Sequence, residues 1–361
     1  AGIARPANLT LDRVLGASDR HFGYADSVLA NGARLVYAID TLAMAVVGGL
    51  AAYEQRDRAS DALGGVALTL PLADGREIAA GTVGLANTYF GFSGMTEYGA
   101  TLAIPALANP LFALAPAHHH LGFGQTLADG VKVKAGLLST GGTSPLLTQY
   151  GLLERPATQA NALVIEASKR FASGFLSITG TQLAETASYL GSYSAEAFAL
   201  GRRPATTAVT LSAAYAFAPT FLLAGQFTTA TTPGYSNETA SLISGMQASR
   251  ASGFGMALVK TATWTQRDRL SFSVSQPLRA QSGAINFDLP VDVDASGNVL
   301  RATESVGLKP SGSERITELH YALPVSKDAT LSLAAIHRYQ PNHEAAAPTE
   351  RVVALRFSAR F

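Results

Sequence analysis

Arg351-Val352-Val353-Ala354-Leu355-Arg356-Phe357-Ser358-Ala359-Arg360-Phe361 closes the chain on an aromatic residue. Val353, Leu355, Phe357, Ala359 and Phe361 fall on one side of an extended backbone. Val352, Ala354, Arg356, Ser358 and Arg360 fall on the other, because successive side chains of a strand point to opposite faces. The first side carries nothing that ionises; the second carries two arginines. Such a strand wants hydrocarbon on one flank and water or polar protein on the other, which is the condition of a transmembrane barrel wall. An amphipathic last strand of a soluble sandwich has the same pattern, so the rest of the chain must decide.

Composition narrows the choice. The chain has 361 residues, 47% hydrophobic and 15% charged, with a mean hydropathy of +0.17. Soluble proteins carry roughly a quarter charged residues, so this surface is short of charge. The longest apolar stretch, 35–53, is broken by Asp40 and Thr41, and its clean part falls short of the ~20 residues a spanning helix needs. Backbone groups in lipid are satisfied only in helices or closed barrels, so apolar composition without spanning helices points to a barrel. Cysteine is absent, which removes disulfides and thiolate metal sites. A net charge of +1 gives no basic field for nucleic acid. No secretory leader is visible at Ala1, so a mature or processed chain is expected.

Working back from the terminus, short turns and long loops alternate. Leu319, Tyr321 and Leu323 alternate with Glu318 and His320, and a turn at Ser326-Lys327-Asp328 leads into Leu331, Leu333 and Ala335. Phe254, Met256 and Leu258 pair, across Gln266-Arg267-Asp268, with Leu270, Phe272 and Val274. Val209 to Phe217 turns at Ala218-Pro219 into Phe221, Leu223 and Phe227. Leu163 and Ile165 oppose Glu166 and Arg170, and Ala172-Ser173-Gly174 leads to Leu176 and Ile178. Val131 to Leu137 alternates apolar residues with Lys132 and Lys134 after a turn at Asp129-Gly130.

Outer-membrane barrels have short periplasmic turns and long outer loops. Eleven strands reach back to about residue 120, and Gly99 to Ile104 supplies a further one for an even count. The expectation is therefore an all-β, antiparallel transmembrane β-barrel of about 12 strands over 96–361. Residues 1–95 are expected to be a linker, a plug or a passenger remnant. That region holds strand-like pieces at 35–38 and 66–70, a turn at Asp74-Gly75 and a helix-like stretch over 41–61. Fourteen strands follow if two of the early pieces join the wall.

With apolar faces toward lipid, Lys132, Lys134, Glu166, Arg170, Glu318, His320, Arg356 and Arg360 are expected to face the lumen. Charges there need water, one another or a plug. The excess is cationic; acidic Glu54, Asp57 and Asp61 are candidates to meet it. In a pore the same set favours anions.

At this point the chain resembles a family. Leu270-Ser271-Phe272-Ser273-Val274-Ser275-Gln276-Pro277-Leu278-Arg279, with Ser282-Gly283 and Ile285 to Leu289 after it, resembles the barrel region of subtilisin-like serine autotransporters. The ending does too, and Val353, Leu355, Phe357 and Phe361 resemble the C-terminal assembly signal of outer-membrane barrels. The resemblance covers the last ~250 residues and is clearest in the last hundred or so. It implies a translocator and membrane anchor for an exported passenger, with outer-membrane lipid, the barrel assembly machinery and a passenger domain or envelope partner as its associates. Gly142-Thr143-Ser144 is similar to the family's serine motif, but Pro145-Leu146-Leu147 departs from it. No matching His or Asp motif precedes it, so catalysis at Ser144 is not expected.

Other signals have plainer readings. His118-His119-His120 cannot all aim at one metal on a strand and reads as a polar cluster at a strand end. Asp292-Val293-Asp294-Ala295-Ser296-Gly297-Asn298 looks like the start of a calcium loop, but Thr303 stands at the twelfth position where a bidentate Glu belongs. A hairpin tip explains it. No catalytic constellation appears, so neither an enzyme nor a cofactor is expected. A passive porin-like channel and a structural or adhesive barrel are the alternatives to the translocator.

Overall fold

The structure is a computed structural model. It describes residues 22–29, 31–40, 63–82, 89–94, 105–114, 119–139, 145–148, 151–154, 160–186, 188–190, 192–193, 196–201, 204–237, 241–326 and 329–359.

The first strands are β1 (Phe22–Val28), β2 (Arg34–Asp40), β3 (Leu63–Pro71), β4 (Arg76–Thr82), β5 (His119–Thr126) and β6 (Val131–Ser139). A small hairpin, β7 (Pro145–Thr148) with β8 (Gly151–Glu154), stands apart. Next come β9 (Ala160–Phe171) and β10 (Gly174–Glu185), a two-residue pair β11 (Ser188–Tyr189) with β12 (Ser192–Tyr193), and β13 (Thr206–Ala218) and β14 (Phe221–Thr232). After β15 (Tyr235–Ser236) and β16 (Ile243–Met246) come β17 (Ser249–Thr261), β18 (Arg269–Ser282), β19 (Ala284–Val293) and β20 (Val299–Gly307). The last are β21 (Arg315–Pro324), β22 (Ala329–Tyr339) and β23 (Glu350–Ala359). Fifteen of these form one sheet in the order β1-β2-β3-β4-β5-β6-β9-β10-β13-β14-β17-β18-β21-β22-β23. Every neighbouring pair in it is antiparallel.

Each strand pairs with the wall strand before it and the one after it, so local chain order alone builds the sheet. The connections sort by length. Short ones fall at 29–33, 72–75, 127–130, 172–173, 219–220, 262–268 and 325–328; long ones fall at 41–62, 83–118, 140–159, 186–205, 233–248, 283–314 and 340–349. All short connections therefore lie at one end of the sheet and all long ones at the other.

The two faces are the reverse of a soluble sheet. On β9, Leu163 and Ile165 are exposed while Val164, Glu166 and Ser168 are buried. On β10, Leu176 and Ile178 are exposed while Ser177, Thr179 and Thr181 are buried. β13 exposes Val209, Leu211, Tyr215 and Phe217 and buries Thr206, Thr210 and Ser212. Val353 and Leu355 of β23 are 75% and 71% exposed. Aromatic residues gather near the short-turn end of the exposed face. Phe217 stacks on Phe221 at 5.5 Å, and Trp264, 72% exposed, meets Tyr321 edge-on at 4.9 Å.

Eleven wall strands, β5 to β23, lie in the region read from the sequence as barrel. The structure differs over the first ninety-five or so residues. β1 to β4 belong to the same sheet, and β4 joins β5 in register from Arg76↔Gln125 to Thr82↔His119. The described residues contribute fifteen strands to this sheet, four of them before residue 95. β4 (REIAAGT) is rich in Ala and Gly and so shows little alternation, whereas Val66, Leu68 and Leu70 alternate along β3 (LGGVALTLP), within the stretch read as strand-like. The expected strand at 99–104 and helix at 41–61 lie outside the described residues.

The long connections near β13 to β18 are built up. β15, β16, β19 and β20 form a second sheet. Tyr189, Leu200, Ile243, Met246 and Phe287 share a small core beneath it, and Leu242 N–H bonds Ala197 O at 2.8 Å. Three long connections thus merge into one lobe. Its β19–β20 hairpin turns at 294–298, where the Asp294 carboxylate accepts the N–H groups of Ser296 and Asn298 at 2.8 Å each and the Asn298 side-chain amide at 2.9 Å. The acid suspected of belonging to a calcium loop is thereby engaged with its own turn.

Candidate functional site

The longest wall connection, 83–118, does not stay at the rim. Its described parts, 89–94 and 105–114, lie on the buried face of the wall. Pro105–Leu107 is a 3-10 turn against β14, β17 and β18, and Gly91–Gly94 is another against β9 and β10. A single helical turn, Pro110–Leu114, follows. Asn109 starts it: its side-chain oxygen accepts the Leu111 N–H at 3.0 Å, with Pro110 in the first position, where no N–H is needed.

Aromatic side chains anchor the segment. Phe90 is fully buried, edge-on to Tyr89 at 4.9 Å and to Phe112 at 5.9 Å. They pack with Leu111 on small wall residues such as Ala162, Ala208 and Ala230. Phe92 meets Phe175 of β10 at 5.9 Å, within a second cluster that includes Ala106, Leu107, Leu222 and Val259. The wall is hollowed to receive them. A Cβ on Gly136 would lie 2.7 Å from the Phe90 ring, and one on Gly255 would collide with the Ala106 carbonyl. These strand positions need glycine for close approach.

Polar groups fasten the segment as well. Lys134 on β6 stands directly opposite Glu166 on β9, and their charged groups are 3.2 Å apart. The Lys134 ammonium also donates to the Tyr89 carbonyl. The second Glu166 oxygen accepts the Gly91 N–H at 2.6 Å and the Thr179 hydroxyl at 2.9 Å. Side-chain exposure is 5% for Lys134 and 0% for Glu166, so pair and segment are desolvated together. Across the wall, the Gln226 amide donates to the carbonyls of Ala106 and Ala108.

The other residues singled out from the sequence sit elsewhere. Lys132 is half-buried and pairs with Glu77 of β4 at 2.8 Å. Arg170 is exposed near the end of β9. Glu318 is buried and His320 half-buried on β21. Arg356 and Phe357 are described in backbone only, and Arg360 and Phe361 lie outside the described residues, as do Ser144, His118 and the acidic 54–61 stretch. His119 is exposed and His120 buried, their rings on opposite faces of β5. Among the described residues no His, Cys, Asp and Glu side chains are grouped as a metal site, and no helix is long and apolar enough to cross a membrane.

Sequence reasoning missed the docked segment and Gln226. Three aromatics around Gly91 at 89–92 and an Asn-Pro turn start at 109–110 were its visible signs. So was the length of the connection, since long loops in compact domains usually carry function.

No family model matches the chain, and no curated protein matches it. Among solved structures it is similar to a porin refined at 1.8 Å (11% identity, 94% of this chain and 90% of that one, TM-score 0.46). It is also similar to OmpT, an outer membrane protein of Vibrio cholerae (11% identity, 81% and 85% covered, TM-score 0.39). A third is the Pseudomonas putida toluene transporter TodX (11% identity, 67% and 73% covered, TM-score 0.33). With each of these scores below 0.5, the functional reading rests on the wall and the segment docked on it.

Proposed function

We propose that this chain is a β-barrel of the bacterial outer membrane and works as a channel, with its lumen narrowed by the docked residues 89–94 and 105–114. The observation that carries this reading is the docked segment. It lies on the polar face of a wall whose opposite face is apolar. A soluble sheet buries its leucines and exposes its serines; here Leu176 and Ile178 are exposed while Ser177 and Thr179 are buried. That inversion is stable only where hydrocarbon surrounds the apolar face. The aromatic residues at the short-turn end match the interfacial girdle of such barrels, and the long-connection end, with its lobe, then faces outside. The Lys134–Glu166 pair and Gln226 hold the segment at a fixed depth, so the passage has a fixed width. No catalysis is assigned to the barrel.

A translocator and anchor for an exported passenger is the second reading. The resemblance of Leu270–Arg279 and of the closing strand favours it. Against it, β1 to β4 are taken up in the wall instead of being available to run through the interior.

Planar-bilayer recording with liposome swelling in sugars of graded size separates the two. A channel gives steady conductance and a size cut-off, and removal of 91–112 raises both. Inserted protein that conducts nothing, with or without the segment, overturns the channel reading.

A further inference from the structure

Among the described residues of β6 to β23, the exposed face changes character near the long-connection end over β17 to β23. On β17, β18, β21, β22 and β23 the outward positions within a few residues of that end include Arg250, Arg279, Arg315, His337 and Arg351. Their outward direction follows from register. Arg250 lies between buried Ser249 and Ala251. Arg279 stands opposite Ser252, its guanidinium bonded to Gln281 at 3.0 Å, and Gln281 is bonded to Ser252 at 2.9 Å. Arg315 lies over the Phe254 ring at 5.3 Å, and His337 faces Arg351 directly. Outward positions of the same stretches hold Ser, Thr, Gln, Tyr and Phe, and no carboxylate.

None of the four arginines takes part in an ion pair among the described residues; of the nearby acids, Glu314 and Glu350 are engaged by Arg338 on the buried face, and Glu344 lies in the 340–349 connection beside Gly312. Arg279 is held by the carbonyls of Gly312 and Pro310, and Arg315 by Gln276 and Ser313, so their charges are positioned without being neutralised. The corresponding rim positions on β6, β9, β10, β13 and β14 are Ser139, Asn161, Gln182, Thr207 and Thr231, all uncharged. Among the described residues of β6 to β23, the arginines of this rim are thus concentrated over adjacent strands of β17 to β23.

We infer that this rim is a docking surface for the phosphorylated headgroups of an anionic lipid in the outer leaflet, seated along β17 to β23. This rests on the proposal that the apolar face meets lipid. Just beyond an apolar band, the partner within reach of an outward-facing arginine is a lipid headgroup. Guanidinium groups bind phosphate in two-pronged fashion, and a set without its own carboxylates selects phosphate-bearing headgroups over zwitterionic ones.

The test is native mass spectrometry of the purified barrel in detergent. It is titrated separately with diphosphorylated lipid A, phosphatidylcholine and inorganic phosphate. Wild type retains lipid A selectively. The variant Arg250→Gln/Arg351→Gln, at positions with no described side-chain contact, binds it on the order of twenty-five-fold more weakly, about five-fold per arginine. Adding Arg279→Gln and Arg315→Gln weakens binding further, and Lys260→Gln at the opposite end changes nothing. Equal retention of phosphatidylcholine, equal binding by the variants, or capture of inorganic phosphate alone overturns the inference. Insertion into phosphatidylcholine liposomes is scored in parallel: protein that inserts without discriminating sinks only the rim, and protein that does not insert sinks the barrel reading itself.

Discussion

Replacing Glu166 by Gln should undock the inner segment while leaving the wall standing. The carboxylate is fully buried and accepts from three donors: Lys134, the Gly91 N–H and Thr179. Glutamine keeps the shape but offers one acceptor oxygen instead of two, and it removes the counter-charge of a buried ammonium. Breaking a buried pair by removing one partner costs about 3–5 kcal/mol. That penalty applies only while the segment shuts water out. With the segment lifted away, Lys134 is hydrated and the loss nearly vanishes. About 3 kcal/mol acting on the docked state alone shifts the docked-to-released ratio by over a hundred-fold, at roughly 1.4 kcal/mol per factor of ten. Single-channel recording reads this directly. Wild type should show one steady low conductance level, and E166Q should show frequent excursions to a larger one. Identical conductance, identical open times and unchanged thermal unfolding of E166Q would refute the view that this pair latches the segment.

Gly255→Ala places a methyl group against the Ala106 carbonyl. Overpacking of this kind costs about 1–3 kcal/mol, and the prediction is a lower unfolding temperature together with a raised conductance. Buried His343 has its ring held below the usual histidine range by burial, which outweighs the pull of Glu314 and of the Leu278 carbonyl, with Arg279 and Arg315 adding to the depression. Its Nδ1 accepts the Glu314 N–H at 2.8 Å, so the neutral ring carries its proton on Nε2, facing Leu278 O. Because the folded value lies below the unfolded one, this contribution is complete above about pH 6.5 and is lost as pH falls below it. Hydrogen exchange in 308–314 and 340–345 should accelerate there. At the opposite end, burial works to raise the Asp268 carboxyl, but the N–H groups of Trp264 and Thr263, the Tyr321 hydroxyl and the Thr265 N–H together hold it below the usual range. The 262–268 turn should therefore stay intact down to about pH 4 and become protease-sensitive below it, and Asp268→Ala should make it sensitive at neutral pH.

Legibility in the sequence followed side-chain size. β13 spells out its alternation, with Val209, Leu211, Tyr215 and Phe217 on one face and hydroxyls on the other, so strands of that kind could be read directly. β4 could not, since an Ala and Gly strand meets the wall as well as a Leu strand does but leaves no period to see; β3, with Val66, Leu68 and Leu70 alternating, was legible as a strand but not as part of the wall. The inner segment was hidden for another reason. Its anchors are ordinary aromatics, and the marks it leaves on the wall, Gly136 and Gly255, become meaningful only when residues distant in sequence are brought into contact. The Lys134–Glu166 pair lay between these cases: both residues were placed on one face by parity, but which strands were neighbours emerged only from the sheet order.

Lipid and protein environments alternate along each wall strand, and β13 offers the sharpest test of that alternation. The chain has no cysteine, so single cysteines at positions 208 to 215 can each carry a spin label in liposomes. The expected accessibility has a period of two. Labels at 209, 211, 213 and 215 should collide with oxygen dissolved in the bilayer, and those at 208, 210, 212 and 214 should be shielded from it. Uniform access to a water-soluble relaxation agent along the strand, or no alternation at all, would contradict it.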